Sequence, residues 1–323
     1  MGATEDVKFN IGYGKGSADA KDLVNTSSVP LHNEKRVLVD GKRVSTGYFS
    51  HSALEQYTRC SKQYEYKYIK REKGRLMFRA KMYGGIVTHD ALDELVNSKI
   101  QGKPISKETF LSHIDSDLDD KFAKYQEQYI SAKIEDLNPE PIDFGARIAD
   151  PDIFKRLYIA VGSEFYDGHY QNCKPISTEK QFIYHLEVDT GGTIPIVGFI
   201  DVIETLGGKP TIVDYKVGAK KSQEEADFSQ QLTLYSMAER IPRVAITALQ
   251  LGTTGGKNPK KAKAGEVVTY LSKRSIKDYA RTTENINAAL KGIKAGAFPR
   301  SGIHNPIVCA RTQCPYFDKC MVD

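Results

Sequence analysis

The stretch TIVDYKVG places Asp214 and Lys216 two residues apart in a strand-like run. Side chains alternate along a strand, so the carboxylate and the ammonium share a face while Tyr215 turns to the other. The preceding run, IPIVGFIDVIE, carries Asp201, and ETLGGKP between the two runs reads as a hairpin turn. Paired in that way, the strands set Asp201 beside Asp214 at one end of a sheet. Two carboxylates that close repel each other unless a cation sits between them, and all-oxygen ligation suits Mg2+ or Mn2+. A lysine at such a site can hold a metal-bound water, assist its deprotonation, or offset charge developing on an attacked phosphate. Taken alone the three-residue pattern is common, and on an exposed edge strand it amounts to an ion pair of little worth.

Two helical segments extend the set. YGGIVTHDAL puts Gly85 four residues before His89, a potential metal ligand, and QQLTLY puts Gln231 four residues before Tyr235 on one helix face. Five cysteines add a second constellation. Cys309, Cys314 and Cys320 fall within CARTQCPYFDKC at the C-terminal end, and Cys60 lies far upstream in SALEQYTRCSKQYEY. Thiols so spaced argue for metal ligation rather than disulfides. Three thiolates leave a tetrahedral site or a cubane one ligand short, which makes Cys60 the fourth candidate. Spacing alone does not separate iron-sulfur from zinc. Cys173 reads as an unligated thiol.

The order His89, Asp201, Asp214-x-Lys216, Gln231-x-x-x-Tyr235 resembles the RecB-like branch of the PD-(D/E)XK nuclease superfamily. That branch combines a Gly-x-x-x-His helix, a Gly-x-x-Asp strand, an (Asp/Glu)-x-Lys strand and a Gln-x-x-x-Tyr helix. Here they are GIVTH, GFID, DYK and QLTLY. The resemblance spans residues 48–323. It implies that His89, Asp201, Asp214 and the Tyr215 carbonyl hold Mg2+ or Mn2+, that Lys216 works on the water, and that Gln231 and Tyr235 orient the catalytic strand or a DNA phosphate. Asp93, where relatives often carry Glu, is left without a role, and Glu179 is named only as a residue that approaches the site. A Ser-rich helix start followed by a cysteine and aromatic residues, with three late cysteines, is similar to members that hold a [4Fe-4S] cluster, among them AddB-type nuclease domains and CRISPR-associated RecB-like exonucleases. The resemblance therefore implies a cluster on Cys60, Cys309, Cys314 and Cys320, with structural Zn2+ as the alternative. Closing so long a loop, it would clasp the helical half onto the nuclease core.

The elements that must position these residues follow from pattern. Residues 1–47 are polar, lack apolar periodicity and read as a loosely held arm, with Asp40-Gly41 marking a hairpin. Residues 48–175 read as helical: Leu54, Tyr57, Tyr64 and Tyr68 recur at helical spacing, and Leu111, Ile114, Leu118 and Phe122 form a later stripe. Residues 176–298 alternate strand and helix and would be the nuclease core, with 299–323 a cysteine-bearing tail. The expected fold is α/β, a mixed central sheet of the restriction-endonuclease-like type flanked by helices.

At 323 residues the chain can bury roughly 75% of its unfolded surface. A net charge of +5 permits a polyanionic partner without requiring one. Positive charge gathers at Lys62, Lys67, Lys70, Arg71, Lys73, Arg75, Arg79 and Lys81 among tyrosines, and at Lys257, Lys260, Lys261 and Lys263 in a Gly/Pro-broken loop, both suited to a strand channel. No apolar run approaches the ~20 residues of a membrane span, and no leader is visible, so a cytoplasmic location is expected. The Gly-rich GYGKGSADAKD departs from the GxxxxGK[ST] order, so ATP use is not expected. The expected function is a metal-dependent DNA nuclease, an exonuclease on single-stranded or frayed DNA that hydrolyses phosphodiesters by metal-activated water. Its partners would be DNA and proteins of recombination, repair or CRISPR adaptation, with no membrane and an open oligomeric state. The alternative is a catalytically silent DNA-binding or assembly subunit with a structural metal cluster.

Overall fold

The structure, a computed structural model, describes residues 8–11, 16–31, 33–134, 139, 142–143, 150–253, 263–301 and 308–322. It opens with two antiparallel pairs, β1 (Lys8–Ile11) with β2 (Gly16–Asp19) and β3 (Lys35–Val39) with β4 (Lys42–Thr46). Asp40 and Gly41 close the second pair with φ of 48° and 76°, the left-handed conformations that a tight two-residue hairpin needs. The arm between the pairs is not loosely held. Leu23, Val29 and Leu31 are buried, and the Thr26 amide donates to the Thr193 carbonyl at 3.1 Å. Few apolar residues suffice when each lands on the sheet, which is why composition alone reads this segment as free.

A short β5 (Phe49–Ser50) leads into α1 (His51–Arg59), whose first turn is capped by the Ser50 hydroxyl accepting from the Ala53 amide. After α2 (Ser61–Tyr64) come the long α3 (Ala80–Ile100), α4 (Lys107–Ile134) and α5 (Pro151–Phe165). Asp150 caps α5 and Pro151 occupies its first turn. The buried stripe of α4 is Phe110, Ile114, Leu118, Tyr125 and Ala132, with Leu111 and Phe122 only partly covered.

The remainder is β6 (Pro175–Glu187), β7 (Thr193–Leu206), β8 (Lys209–Gly218), α6 (Gln223–Phe228), α7 (Gln230–Glu239), β9 (Arg243–Gln250), β10 (Glu266–Lys273), α8 (Ile276–Lys294) and a short α9 (Phe317–Val322). The strands form one mixed sheet in the order β10-β9-β8-β7-β5, with β6 on the other edge of β7. The β8–β9 pair is parallel and lies centrally, and its runs Thr211–Tyr215 and Val244–Gln250 are buried throughout, as strands covered on both faces are. One face packs on α1, α7 and α8 through Ile212, Val244, Ile246, Leu234 and Leu290. The other packs on α3 and α5 through Val213, Tyr215, Ala245, Leu92 and Phe154, with α4 laid over those two helices. The result is the expected α/β architecture, a mixed sheet between helical layers. No helix of the described residues is long and apolar enough to cross a membrane.

Candidate active site

The site forms where the central sheet splits. β7 and β8 pair from Leu206↔Lys209 to Val202↔Val213, and the ladder stops one residue short of Asp201 and Asp214. Beyond that point β7 takes β5 as its neighbour instead, through Ile196 and Val197. The Tyr215 amide, left without a strand partner there, donates to Asp201 Oδ2 at 2.8 Å. His89 reaches the gap from α3: its Nε2 lies 2.6 Å from the Tyr215 carbonyl and 3.6 Å from Asp201 Oδ2.

Glu179 completes the group. Ligand atoms of His89, Glu179 and Asp201 all lie within 4.8 Å of one another. Glu179 stands opposite Asp201 on β6, and the pairing skips both residues, running from Thr178↔Val202 to Lys180↔Ile200. Its backbone is left-handed with φ 43°, costing roughly 1–2 kcal/mol for a residue with a Cβ. The Thr178 hydroxyl, next in the chain, touches the Asp93 carboxylate and donates to the Asp201 carbonyl at 2.9 Å, which ties Asp93 to the edge of the site. We expect Glu179→Gln to weaken Mn2+ binding by about tenfold or more, read by calorimetric titration.

Asp214 lies beside this group, engaged by Lys216. It is almost fully buried, and both carboxylate oxygens face Lys216 Nζ, at 3.0 and 2.8 Å, so it stays outside the three-residue group. Lys216 also donates to Gln231 Oε1 at 3.0 Å, and Gln231 Nε2 in turn donates to the Tyr235 hydroxyl at 2.6 Å. The i, i+4 pair on α7 therefore holds the lysine. Gly198 on β7 leaves room for the Phe182 ring, which meets a Cβ position at 2.7 Å and packs edge-on against Tyr235 at 5.5 Å.

Charge in the site is unevenly matched. Burial, opposed by His89 and reinforced by Asp214, pushes Asp201 up to about 6. Burial works against the Lys216 ammonium, but Asp214 and Asp201 outweigh it and carry the group above its ordinary value. Lys216 is thus a cation throughout the neutral range. Burial likewise raises the Tyr235 hydroxyl well above its ordinary value, so it keeps its proton. A carboxylate held near 6 must lose its proton to ligate. Mn2+ affinity is expected to fall about tenfold per unit as pH drops below 6 and to level off above it, and an equal affinity at pH 5 and pH 8 would contradict this.

A further pair escaped sequence reading. His51 and Glu55, one turn apart on α1, lie near enough to interact electrostatically with Lys216, and burial is the main cause of the lowered His51 pKa. A signal was present in their i, i+4 spacing, but nothing local placed α1 at the mouth of the sheet.

The cysteines require a correction. Cys60, Cys309, Cys314 and Cys320 border one cavity together with Tyr66, Tyr316 and Phe317. Among the described residues, however, no three thiols come within 4.8 Å of one another, so the expected [4Fe-4S] cluster is not supported and the four are not assembled as ligands of a single ion. Zn–S bonds of about 2.3 Å would demand such closeness, so Zn2+ is not supported either. Burial raises the Cys314 and Cys320 thiols. The tail docks through the protein's own contacts: the Arg75 amide donates to the Pro315 carbonyl at 2.9 Å, and the Arg75 and Arg79 guanidinium groups reach the Arg311 and Gln313 carbonyls. Lys62 and Lys70 flank Glu65 at 2.7 and 3.1 Å. Arg75 and Arg79 of the upstream basic segment thus hold the tail and Lys62 and Lys70 pair locally, while Lys257, Lys260 and Lys261 lie outside the described residues.

A model of the PD-(D/E)XK nuclease superfamily matches residues 48–321 of the chain. No curated protein matches it. Among solved structures it is similar to a "Putative exonuclease" from Eubacterium rectale, with 11% identity and a TM-score of 0.44 over 82% of this chain and 86% of that one. It is also similar to SSO0001, with 13% identity and a TM-score of 0.29 over 53% and 70% of the respective chains. Overlaps of that extent carry nothing about activity.

Proposed function

Because the chain belongs to the PD-(D/E)XK nuclease superfamily, we propose that it is a Mg2+- or Mn2+-dependent deoxyribonuclease of the RecB-like branch, acting as an exonuclease on single-stranded or frayed DNA. The observation that carries the reading is the convergence of His89, Glu179, Asp201 and the Tyr215 carbonyl at the split between β7 and β8, with the Lys216 ammonium beside it. A scaffold has no need to hold clustered acids around a lysine, since each buried charge costs desolvation.

The donor set is oxygen with one imidazole, which suits Mn2+ and tolerates Mg2+. A divalent cation bound there would polarise a phosphate oxygen and acidify a water. His89 would supply its Nε2, Glu179 and Asp201 their carboxylates, and Tyr215 its carbonyl. Asp214 would join by loosening from Lys216. Lys216, held by Gln231 and already protonated, would then donate to the attacking water or to a phosphate oxygen as negative charge develops. End-labelled single- and double-stranded DNA with Mn2+ tests this reading: progressive shortening from an end is expected, and intact DNA would overturn it.

A further inference from the structure

We infer that the α3 face formed by Met82, Gly85 and Ile86 seats an unpaired nucleotide of the substrate next to the scissile phosphate, its base lying on the two apolar side chains; this rests on the nuclease reading above. At 100° per residue, Met82 sits almost directly in line with His89, and Gly85 and Ile86 straddle that line. Met82 is 49% exposed and Ile86 42%. They lie about 10.5 and 4.5 Å from His89 along the helix axis, the reach of one or two nucleotides. Exposed apolar side chains in file with a metal-ligating histidine have no use for a phosphate, but they offer a surface to the flat face of a base.

The two glycines of this helix point to the same conclusion. A Cβ at Gly84 would stand 2.3 Å from the Tyr158 ring, so packing within the protein accounts for that glycine. Among the described residues, a Cβ at Gly85 would meet nothing within 4 Å. A glycine inside a helix weakens it relative to alanine, and no neighbour among the described residues requires this one. The open space above Gly85 adjoins His89, and we assign it to the sugar and phosphate of the bound strand. Lys81, exposed on the flank of the same face, supplies positive charge toward that backbone. A duplex hides its base faces in stacking, so this surface favours a strand that is single or opened at its end.

The test uses the full chain with Mn2+ and a 5′-labelled single-stranded oligonucleotide, either intact or carrying one abasic position moved along the strand. Met82→Ser/Ile86→Ser is expected to raise KM about tenfold on the intact strand with kcat within twofold. An abasic position at one fixed offset from the cut should slow the native protein and make no difference to the variant. Gly85→Ala is expected to raise Tm and also raise KM, whereas a glycine with only a helical role would raise Tm alone. A native protein that cuts DNA while both variants keep its KM overturns this inference and spares the nuclease reading. A native protein that cuts no DNA overturns both.

Discussion

Asp201→Asn is expected to weaken Mn2+ binding by at least about 100-fold and to lower DNA hydrolysis by at least about 1,000-fold, without unfolding the protein. Asparagine can still accept the Tyr215 amide, so the geometry at the end of β8 survives while the ligand charge is lost. The variant carries a second signature. In the native state burial raises this carboxyl from 3.8 to about 6, so the folded protein binds more protons than the unfolded chain between those values. The ionised group therefore costs stability, fully above pH 6 and progressively less as pH falls toward 4, on the order of 2–3 kcal/mol at most. Metal-free Asp201→Asn should melt above the native protein at pH 8, and the gap should close toward pH 4. A variant that loses activity but melts lower at pH 8 would mean that Asp201 serves the fold rather than the metal.

Lys216→Met is expected to separate chemistry from metal binding. Hydrolysis should fall by about 1,000-fold, whereas Mn2+ should bind as tightly as before or more tightly, because the ammonium that occupies Asp214 is gone. Without metal the variant leaves the buried Asp214 carboxylate unpaired, which costs roughly 3 kcal/mol and should be recovered when Mn2+ is added. Because its neighbours keep Lys216 charged, the native pH profile should show no rise that follows lysine deprotonation below its ordinary range. Equal loss of metal binding and hydrolysis would make Lys216 a support of the ligand geometry instead.

These two residues were legible in the sequence because they depend on short-range rules. Strand alternation and one glycine turn put Asp201 and Asp214 at the same end of two neighbouring strands, and a four-residue step put Gln231 and Tyr235 on one face of α7. Glu179 was harder to place, since a left-handed residue within a strand breaks the alternation from which its direction would be read. The engagement of Asp214 by Lys216 depends on where Gln231 lands in space, which no spacing reports. Residues 16–31 read as loose from sequence because their burial is owed to β7, more than 160 residues downstream, as the Thr26–Thr193 contacts show. The cysteines were recognised as a group from their spacing, but how closely their thiols approach depends on how the tail docks against residues 59–79. Met82 and Ile86 carry no sequence signal beyond being apolar positions of α3, and only their exposure in line with His89 sets them apart.

The central claim is that the split end of the sheet is a metal-dependent catalytic centre. The most direct measurement compares the native protein with Asp201→Asn on 5′-labelled single-stranded DNA in Mn2+, with an EDTA control. The account predicts shortened products from the native protein only, abolished by EDTA. Degradation by Asp201→Asn at the native rate, or by the native protein in EDTA, would contradict it.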